Sequence, residues 1–327
     1  MKSLIENFTK QLVEALAIGK KSKIVFTKKI FNQVVVSGLG GSGIGGTIIQ
    51  DYVFNHLTIP FVVNKNYFIS KSVNTDTLFI ACSYSGNTEE TLMAVEEAKK
   101  RKANIVCITS GGALADFATQ NKYPLILVPG GNPPRASLGY SLVQILFVLN
   151  KAKLINTSFI KEIESSILLI NKDTKKIQAN ALKIATQIKG KQIAIYTTVG
   201  HEGIAIRFRQ QINENSKQLA WTNVIPEMTH NEIVGWKKEH EELAVIYCAA
   251  KNDFERNLRR MKVLKEVTKK YKATIVDIDI KGNSFFEQVF LFVHLTDWIS
   301  VFLAELTNTD TLEVKVIDHL KSNMAKK

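Results

Sequence analysis

Apolar and polar positions along the chain alternate in a regular way. Short apolar runs of strand type stand at 34–37, 61–63, 78–82, 105–108 and 125–128, and the stretches between them, 42–55, 87–101, 112–120 and 138–150, carry apolar residues at helical spacing. Strands alternating with helices predict a parallel sheet covered on both faces, because a parallel connection has to cross over and a helix fills the crossover. The second half repeats the theme, with strands at 192–196, 244–248 and 273–278, helical segments at 202–217, 226–235 and 253–270, and closing helices at 284–306 and 311–325. Between the halves, 151–191 holds Ile, Leu and Ala at helical spacing with little Gly or Pro, so it reads as a helical bridge. The expectation is an α/β protein of two domains, residues 1–152 and residues 153–327. Each domain is a parallel sheet flanked by helices, an αβα sandwich, and the second also holds the bridge and the closing helices. The halves share no residue pattern, so any repeat is one of architecture.

Composition narrows the class. A chain of 327 residues, 45% hydrophobic and 22% charged, is long enough for about two domains and sits near the averages of water-soluble globular proteins. The longest apolar stretch, 285–303, is interrupted by Glu287, His294 and Asp297, so it reads as a buried helix and no membrane association is expected. Residues 1–21 form an amphipathic pattern without the regions of a signal peptide, and a cytoplasmic location is expected. Cys82, Cys107 and Cys248 lie in strand-like apolar runs and read as inert core residues. The net charge of +13 is carried almost wholly by lysine. No helix-turn-helix, finger or ribonucleoprotein pattern accompanies it, so no nucleic-acid partner is expected. The six histidines are scattered without ligand spacing, so neither a metal nor another cofactor is expected. His294, between Val293 and Leu295, reads as a core histidine, and His56, His201, His240 and His319 have no supporting pattern.

Two loops carry candidate chemistry. After three valines comes Ser37-Gly-Leu-Gly-Gly-Ser-Gly-Ile-Gly-Gly46, in which Gly38, Gly40 and Gly43 satisfy a dinucleotide-binding spacing. That reading needs an acid at the end of the next strand, where Asn64, Lys65 and Asn66 stand instead. Nor does Gly-Lys-Ser/Thr follow. What remains is a glycine turn whose backbone N–H groups and helix start can close on an anion. The second loop, Ser83-Tyr-Ser-Gly-Asn-Thr88, puts the hydroxyls of Ser83, Ser85 and Thr88 at another helix start, the donors that a phosphate monoester's oxygens need. Further on, Pro124, Pro129, Pro133 and Pro134 crowd one stretch and stiffen the loop that carries Arg135.

Together SGLGGSGIGG and SYSGNTEET resemble the sugar isomerase (SIS) domain, whose members bind phosphosugars with this serine-rich turn. Pro133-Pro-Arg-Ala-Ser-Leu-Gly139, Asn213-Glu-Asn215, Pro226-Glu-Met-Thr-His-Asn-Glu-Ile233 and Val316-Ile-Asp-His-Leu-Lys321 resemble, in this order, the bifunctional phosphoglucose/phosphomannose isomerases of bacteria and archaea. The likeness runs from about residue 30 to 325. It implies two SIS-type domains and an aldose–ketose isomerase that interconverts glucose 6-phosphate, and mannose 6-phosphate, with fructose 6-phosphate through a cis-enediol. Gly41, Ser42, Ser83, Ser85 and Thr88 would hold the phosphate. Glu214 would move the carbon-bound proton, and the guanidinium of Arg135 would face the enediolate. His230, from the neighbouring subunit, would open the sugar ring together with Lys321, which implies a homodimer with active sites at the interface. Read by itself, Glu214 would be a solvated glutamate, about 120° from the core stripe of Ile204, Phe208 and Ile212. In relatives a small hydroxyl before the terminal lysine bears on the configuration at C2. Here Val314 lies two helical turns before Lys321, with Thr309 and Thr311 farther back, so the ratio of the two activities stays open. An isomerase of another sugar phosphate on the same scaffold, or a non-catalytic phosphosugar-binding regulator, remain alternatives.

Overall fold

The computed structural model describes residues 1–26 and 30–324. Two short helices, α1 (Lys2–Glu6) and α2 (Phe8–Lys21), precede a first α/β unit. It contains β1 (Gln33–Ser37), α3 (Gly40–Val53), β2 (Phe61–Asn64), β3 (Thr77–Ser83), α4 (Glu89–Lys100), β4 (Asn104–Thr109), α5 (Gly112–Gln120), β5 (Leu125–Leu127) and α6 (Leu138–Lys151). The bridge is one long helix, α7 (Ser158–Ile188). A second unit follows with β6 (Gln192–Thr198), α8 (Glu202–Ser216), β7 (Ala220–Ile225), β8 (Leu243–Ala250), α9 (Glu255–Lys270) and β9 (Thr274–Ile280), closed by α10 (Phe285–Leu306) and α11 (Lys315–Met324).

Both sheets are parallel throughout, five strands in the order β2-β1-β3-β4-β5 and four in the order β7-β6-β8-β9. In each sheet the first strand lies in the middle and the chain then winds to both sides. The two sheets therefore share a topology, β6 beside β8 corresponding to β1 beside β3. Ligands of open parallel sheets bind outside the carboxyl ends of strands at such a reversal. In the first sheet that edge holds the glycine turn after β1 and the serine-rich turn after β3.

The core is not divided between the units. One cluster runs from Val34, Val36 and Ile80 of the first sheet through Ile44 and Ile48 of α3 and Phe208 of α8 to Ile195 and Ile246 of the second. Smaller clusters cover the outer faces, around Val95 and Leu114 on the first sheet and around Met261 and Leu264 on the second. α10, the long apolar helix, is buried along most of its length, as its interrupted pattern predicts. On it His294 is stacked on Phe8 and its Nε2 accepts from the Trp298 indole at 3.3 Å. Burial pushes its pKa down to about 4, so it is a neutral core group, with Nδ1 unpaired among the described residues. All three cysteines are buried, and burial pushes their thiols up, Cys107 to about 12.

Three elements depart from the pattern-based expectation. β7 was not foreseen: it is an edge strand whose Ala220 to Val224 are only half-buried, so it lacks the continuous apolar run of its neighbours. The helix expected at 226–235 is two short 3-10 turns, Glu227–His230 and Glu232–Gly235. Asn231 separates them, its side chain accepting from the N–H of Glu232 at 2.6 Å, a local bond that competes with helix continuation. The last helix starts at Lys315 and not 311, because the carboxylates of Asp310 and Glu313 accept from the N–H groups of Leu312 and Lys315 in turns ahead of it. Its expected final residue, 325, lies outside the described residues.

At the end of β8 the second sheet has a feature of its own. Asp253 accepts from the N–H of Ala250 at 2.8 Å and the hydroxyl of Thr198 at 2.7 Å, and pairs with His201 at 3.3 Å. Burial pulls the His201 pKa down, but the bond and charge of Asp253, with Gln288 and Asp51, together outweigh it and the net direction is up.

Candidate active site

The site is assembled at the carboxyl edge of the first sheet. β3 delivers Ser83, buried, and the chain then turns tightly to start α4. Gly86 makes that turn with a φ of +72°, and a Cβ there would fall 1.7 Å from the carbonyl oxygen of Gly111, so no other residue fits. The turn brings the hydroxyls of Ser83 and Thr88 within 2.8 Å of each other. Ser85 is exposed, and its hydroxyl accepts from the N–H of Asn87 at 3.3 Å. Thr88 is the N-cap of α4 but makes no side-chain cap bond, so the first N–H groups of that helix lack intrahelical partners beside the hydroxyls.

The glycine turn is locked to this one. Ser42, in the first turn of α3, accepts from the N–H of Tyr84 at 2.9 Å. Gly41 lies against the proline loop, where a Cβ would come within 2.6 Å of the carbonyl oxygen of Pro134. Tyr84 ties the same loop from its other end, its hydroxyl donating to the carbonyl of Pro129 at 2.8 Å and accepting from the N–H of Asn132 at 3.2 Å. Gly41, Ser42, Ser83, Tyr84, Thr109, Pro134 and Ser137 line one crevice, and Gly41, Arg135, Arg207, Gln210, Gln211 and Glu214 line the next, so the two meet at Gly41.

Arg135 joins the units. Its Nε donates to Asn215 Oδ1 at 2.9 Å, its Nη1 stands 3.5 Å from Glu214 Oε2, and its Nη2 donates to the carbonyl of Thr311 at 2.6 Å. Its own carbonyl accepts from Arg207, which is held in turn by Asp297 of α10. Arg135 is buried, whereas the Glu214 side chain is 30% exposed. Desolvation raises the Glu214 carboxyl above the ordinary glutamate range, and Arg135, Arg207 and Lys217 pull in the other direction. The arrangement offers a carboxylate with raised proton affinity beside a fixed guanidinium, next to a turn of hydroxyls and free N–H groups. It can hold an anion at one end and move a proton at the other.

The residues singled out by sequence fall into two groups. Gly41, Ser42, Ser83, Thr88, Arg135 and Glu214 line or border these adjoining crevices, with Ser85 at the rim. His230 and Lys321 are exposed, and among the described residues neither makes a hydrogen bond or ion pair to the others. Lys321 lies on α11, which buries no residue at all, although the chain just before that helix is fastened to Arg135 through Thr311. His230 ends the first 3-10 turn beyond β7. Asn215, Arg207 and Asp297 were not singled out for roles. Asn215 falls within the Asn-Glu-Asn pattern, but Asp297, 82 residues beyond it, carries no local signal.

Known proteins resemble the chain along most of its length. The SIS domain family matches residues 31–129, and the bacterial phospho-glucose isomerase C-terminal SIS domain matches residues 177–324. A bifunctional phosphoglucose/phosphomannose isomerase of Caldicellulosiruptor bescii is 36% identical over 332 residues, covering 98% of each chain. Another of the same description, from Aquifex aeolicus, is 34% identical, covering 90% of this chain and 91% of its own. Among solved structures, the C-terminal domain of glucosamine-fructose-6-phosphate aminotransferase from Francisella tularensis superposes with a TM-score of 0.75 at 14% identity, covering 94% of this chain and 96% of that one, a likeness of fold. With matching SIS domains in both halves and relatives aligned end to end, the chain belongs to the family of bifunctional phosphoglucose/phosphomannose isomerases.

Proposed function

We propose that the protein is an aldose–ketose isomerase interconverting glucose 6-phosphate, and mannose 6-phosphate, with fructose 6-phosphate through a cis-enediol. The observation that carries this reading is the Arg135–Glu214 pair in the crevice adjoining the hydroxyl turn of Ser83 and Thr88. The substrate phosphate sits on that turn, with Ser42, Ser85 and the N–H groups of Gly41 and α4 completing the donors. Glu214 takes the proton from C2 of the aldose and returns it to C1 of the ketose, and Arg135 holds the charge that develops on the enediolate oxygen. Ring opening falls to His230 of the partner subunit with Lys321. That assignment needs a homodimer, and the apolar side chains that α11 leaves uncovered, Val316 at 83% and Leu320 at 60% exposure, support one. The chain works in the cytoplasm as two units that divide near residue 152, between α6 and α7. Its surplus positive charge favours the approach of dianionic substrates.

The test is to incubate the protein with fructose 6-phosphate and EDTA in deuterium oxide. Glucose and mannose 6-phosphate carrying deuterium at C2 are expected. Binding without exchange would instead make the protein a phosphosugar-binding regulator.

A further inference from the structure

A carboxylate in the second unit has more donors than a surface segment needs. Glu232 accepts from three side chains: the Tyr196 hydroxyl at 2.5 Å and the Trp221 indole N–H at 3.0 Å on Oε1, and the Asn223 amide at 2.5 Å on Oε2. Tyr196 is fully buried in the central strand β6, and Trp221 and Asn223 belong to the neighbouring edge strand β7. The donors thus come from two adjacent strands of one sheet and converge on a single side chain of the 3-10 segment beyond β7.

That segment has little else to hold it. Of its two 3-10 turns, Glu227–His230 and Glu232–Gly235, only Met228 is buried. Ile233 packs half-buried on the same cluster as Met228, and the other fastenings are polar. Asn231 caps the N–H of Glu232 and donates to the carboxylate of Glu227 at 2.7 Å, and Arg260 donates to the Thr229 hydroxyl at 3.0 Å. His230 lies two residues before Glu232, exposed, and its imidazole makes no hydrogen bond among the described residues. Its place is therefore set by its flanking backbone, which is held by buried Met228 on one side and by Glu232, with its three side-chain donors, on the other.

We propose that Glu232 is a positioning residue: by accepting from Tyr196, Trp221 and Asn223 it fixes the direction in which His230 leaves the subunit. The proposal rests on the reading of His230 as the ring-opening group. A carboxylate suits the task because all three neighbours donate, and a neutral amide would present its own donor to at least one of them.

The experiment is a double-mutant cycle on the full-length protein with glucose 6-phosphate. In the wild-type background Glu232→Gln lowers kcat about tenfold or more with KM within about threefold, and Glu232→Asp recovers part of the loss. In the His230→Asn background the same Glu232→Gln change alters kcat by less than about twofold, because what it positions is already gone. Equal losses in the two backgrounds, or full turnover of Glu232→Gln, overturn the proposal while leaving His230 in the mechanism. Wild-type turnover of His230→Asn overturns the reading of His230 and the coupling with it. If Glu232→Gln fails to fold by circular dichroism, Tyr196→Phe, which removes one donor and keeps the ring, is taken through the same cycle, and a loss that persists undiminished beside His230→Asn overturns the proposal.

Discussion

Arg135 and Glu214 meet across the seam between the two sheets, the guanidinium Nη1 3.5 Å from the carboxylate Oε2, although 78 residues separate them along the chain. Neither could be placed by its own unit: Arg135 comes from the stiff loop before α6 and Glu214 from the last turn of α8. Glu214→Gln keeps the shape and removes the base. Turnover should fall by at least ~10² with KM close to wild type, measured in a coupled assay. Unchanged turnover would take the glutamate out of the mechanism.

Arg135→Gln acts on two quantities. Arg135 pulls the Glu214 pKa down against the burial that raises it, so removing it moves that pKa further up. A base works only when ionised, and activity is lost as pH falls through its pKa. The acid limb of the kcat/KM profile should therefore move to higher pH in the variant, and kcat should drop ~10²–10³, the usual cost of one oxyanion donor. A limb that stays in place would separate the two groups functionally.

Substituting Ser83 and Thr88 together by alanine removes the pair of hydroxyls that stand 2.8 Å apart. Each charge-assisted bond to phosphate contributes ~1.5–3 kcal/mol, so KM should rise by ~10²–10⁴ with a smaller change in kcat. The inhibition constant of inorganic phosphate should rise in parallel. An unaltered KM would locate the phosphate elsewhere.

Asp51 of α3 accepts from the N–H of Gly203 at the start of α8 at 2.8 Å, and burial pushes its carboxyl from 3.8 up to about 6. A group that holds its proton more tightly when folded favours folding below its unfolded pKa, and that contribution is lost as pH rises toward 6. The full difference would be about 3 kcal/mol, which partial solvent contact of the side chain reduces to ~1–2 kcal/mol. Asp51→Asn keeps the bond to Gly203. It should flatten the decline between pH 4 and 6 and raise the urea midpoint at pH 7.5. His201 nearby, with its raised pKa, adds a decline above 6.5 that the variant only weakens, because Asp253 and Gln288 also raise that pKa. A midpoint unchanged at pH 7.5 would show that Asp51 titrates like an exposed acid.

Val316→Asp with Leu320→Asp charges the uncovered face of α11 without touching any buried residue. The subunit should fold with an unchanged melting temperature, sediment as a monomer and lose most of its turnover. A fully active monomer would place ring opening within one chain.

Most of the architecture was legible because the central strands are buried on both faces and read as unbroken apolar runs, as at Val34 to Val36 and Phe79 to Cys82. β7 was missed for the opposite reason: Trp221, Thr222 and Asn223 form a half-exposed edge. The anion end of the site was legible because a helix start lined with hydroxyls is a local pattern. The Arg135–Glu214 contact is tertiary, and so are the supports behind it. Asn215 bonds Ser300 of α10 as well as Arg135, and Arg207 is bracketed by Asp297. No periodicity announces such pairs, and periodicity alone assigned Glu214 to solvent. Only the likeness of several motifs in one order pointed at that residue.

The continuous core beneath the two sheets has an implication for how the protein comes apart. Ile48 of α3 abuts Gly203 of α8, where a Cβ would come within 2.8 Å of its backbone, so the units interlock without room for a side chain between them. Severing the chain near residue 152 would leave each half with a large oily face and half of a catalytic centre. Neither piece should survive alone, and the intact chain should melt in a single cooperative step.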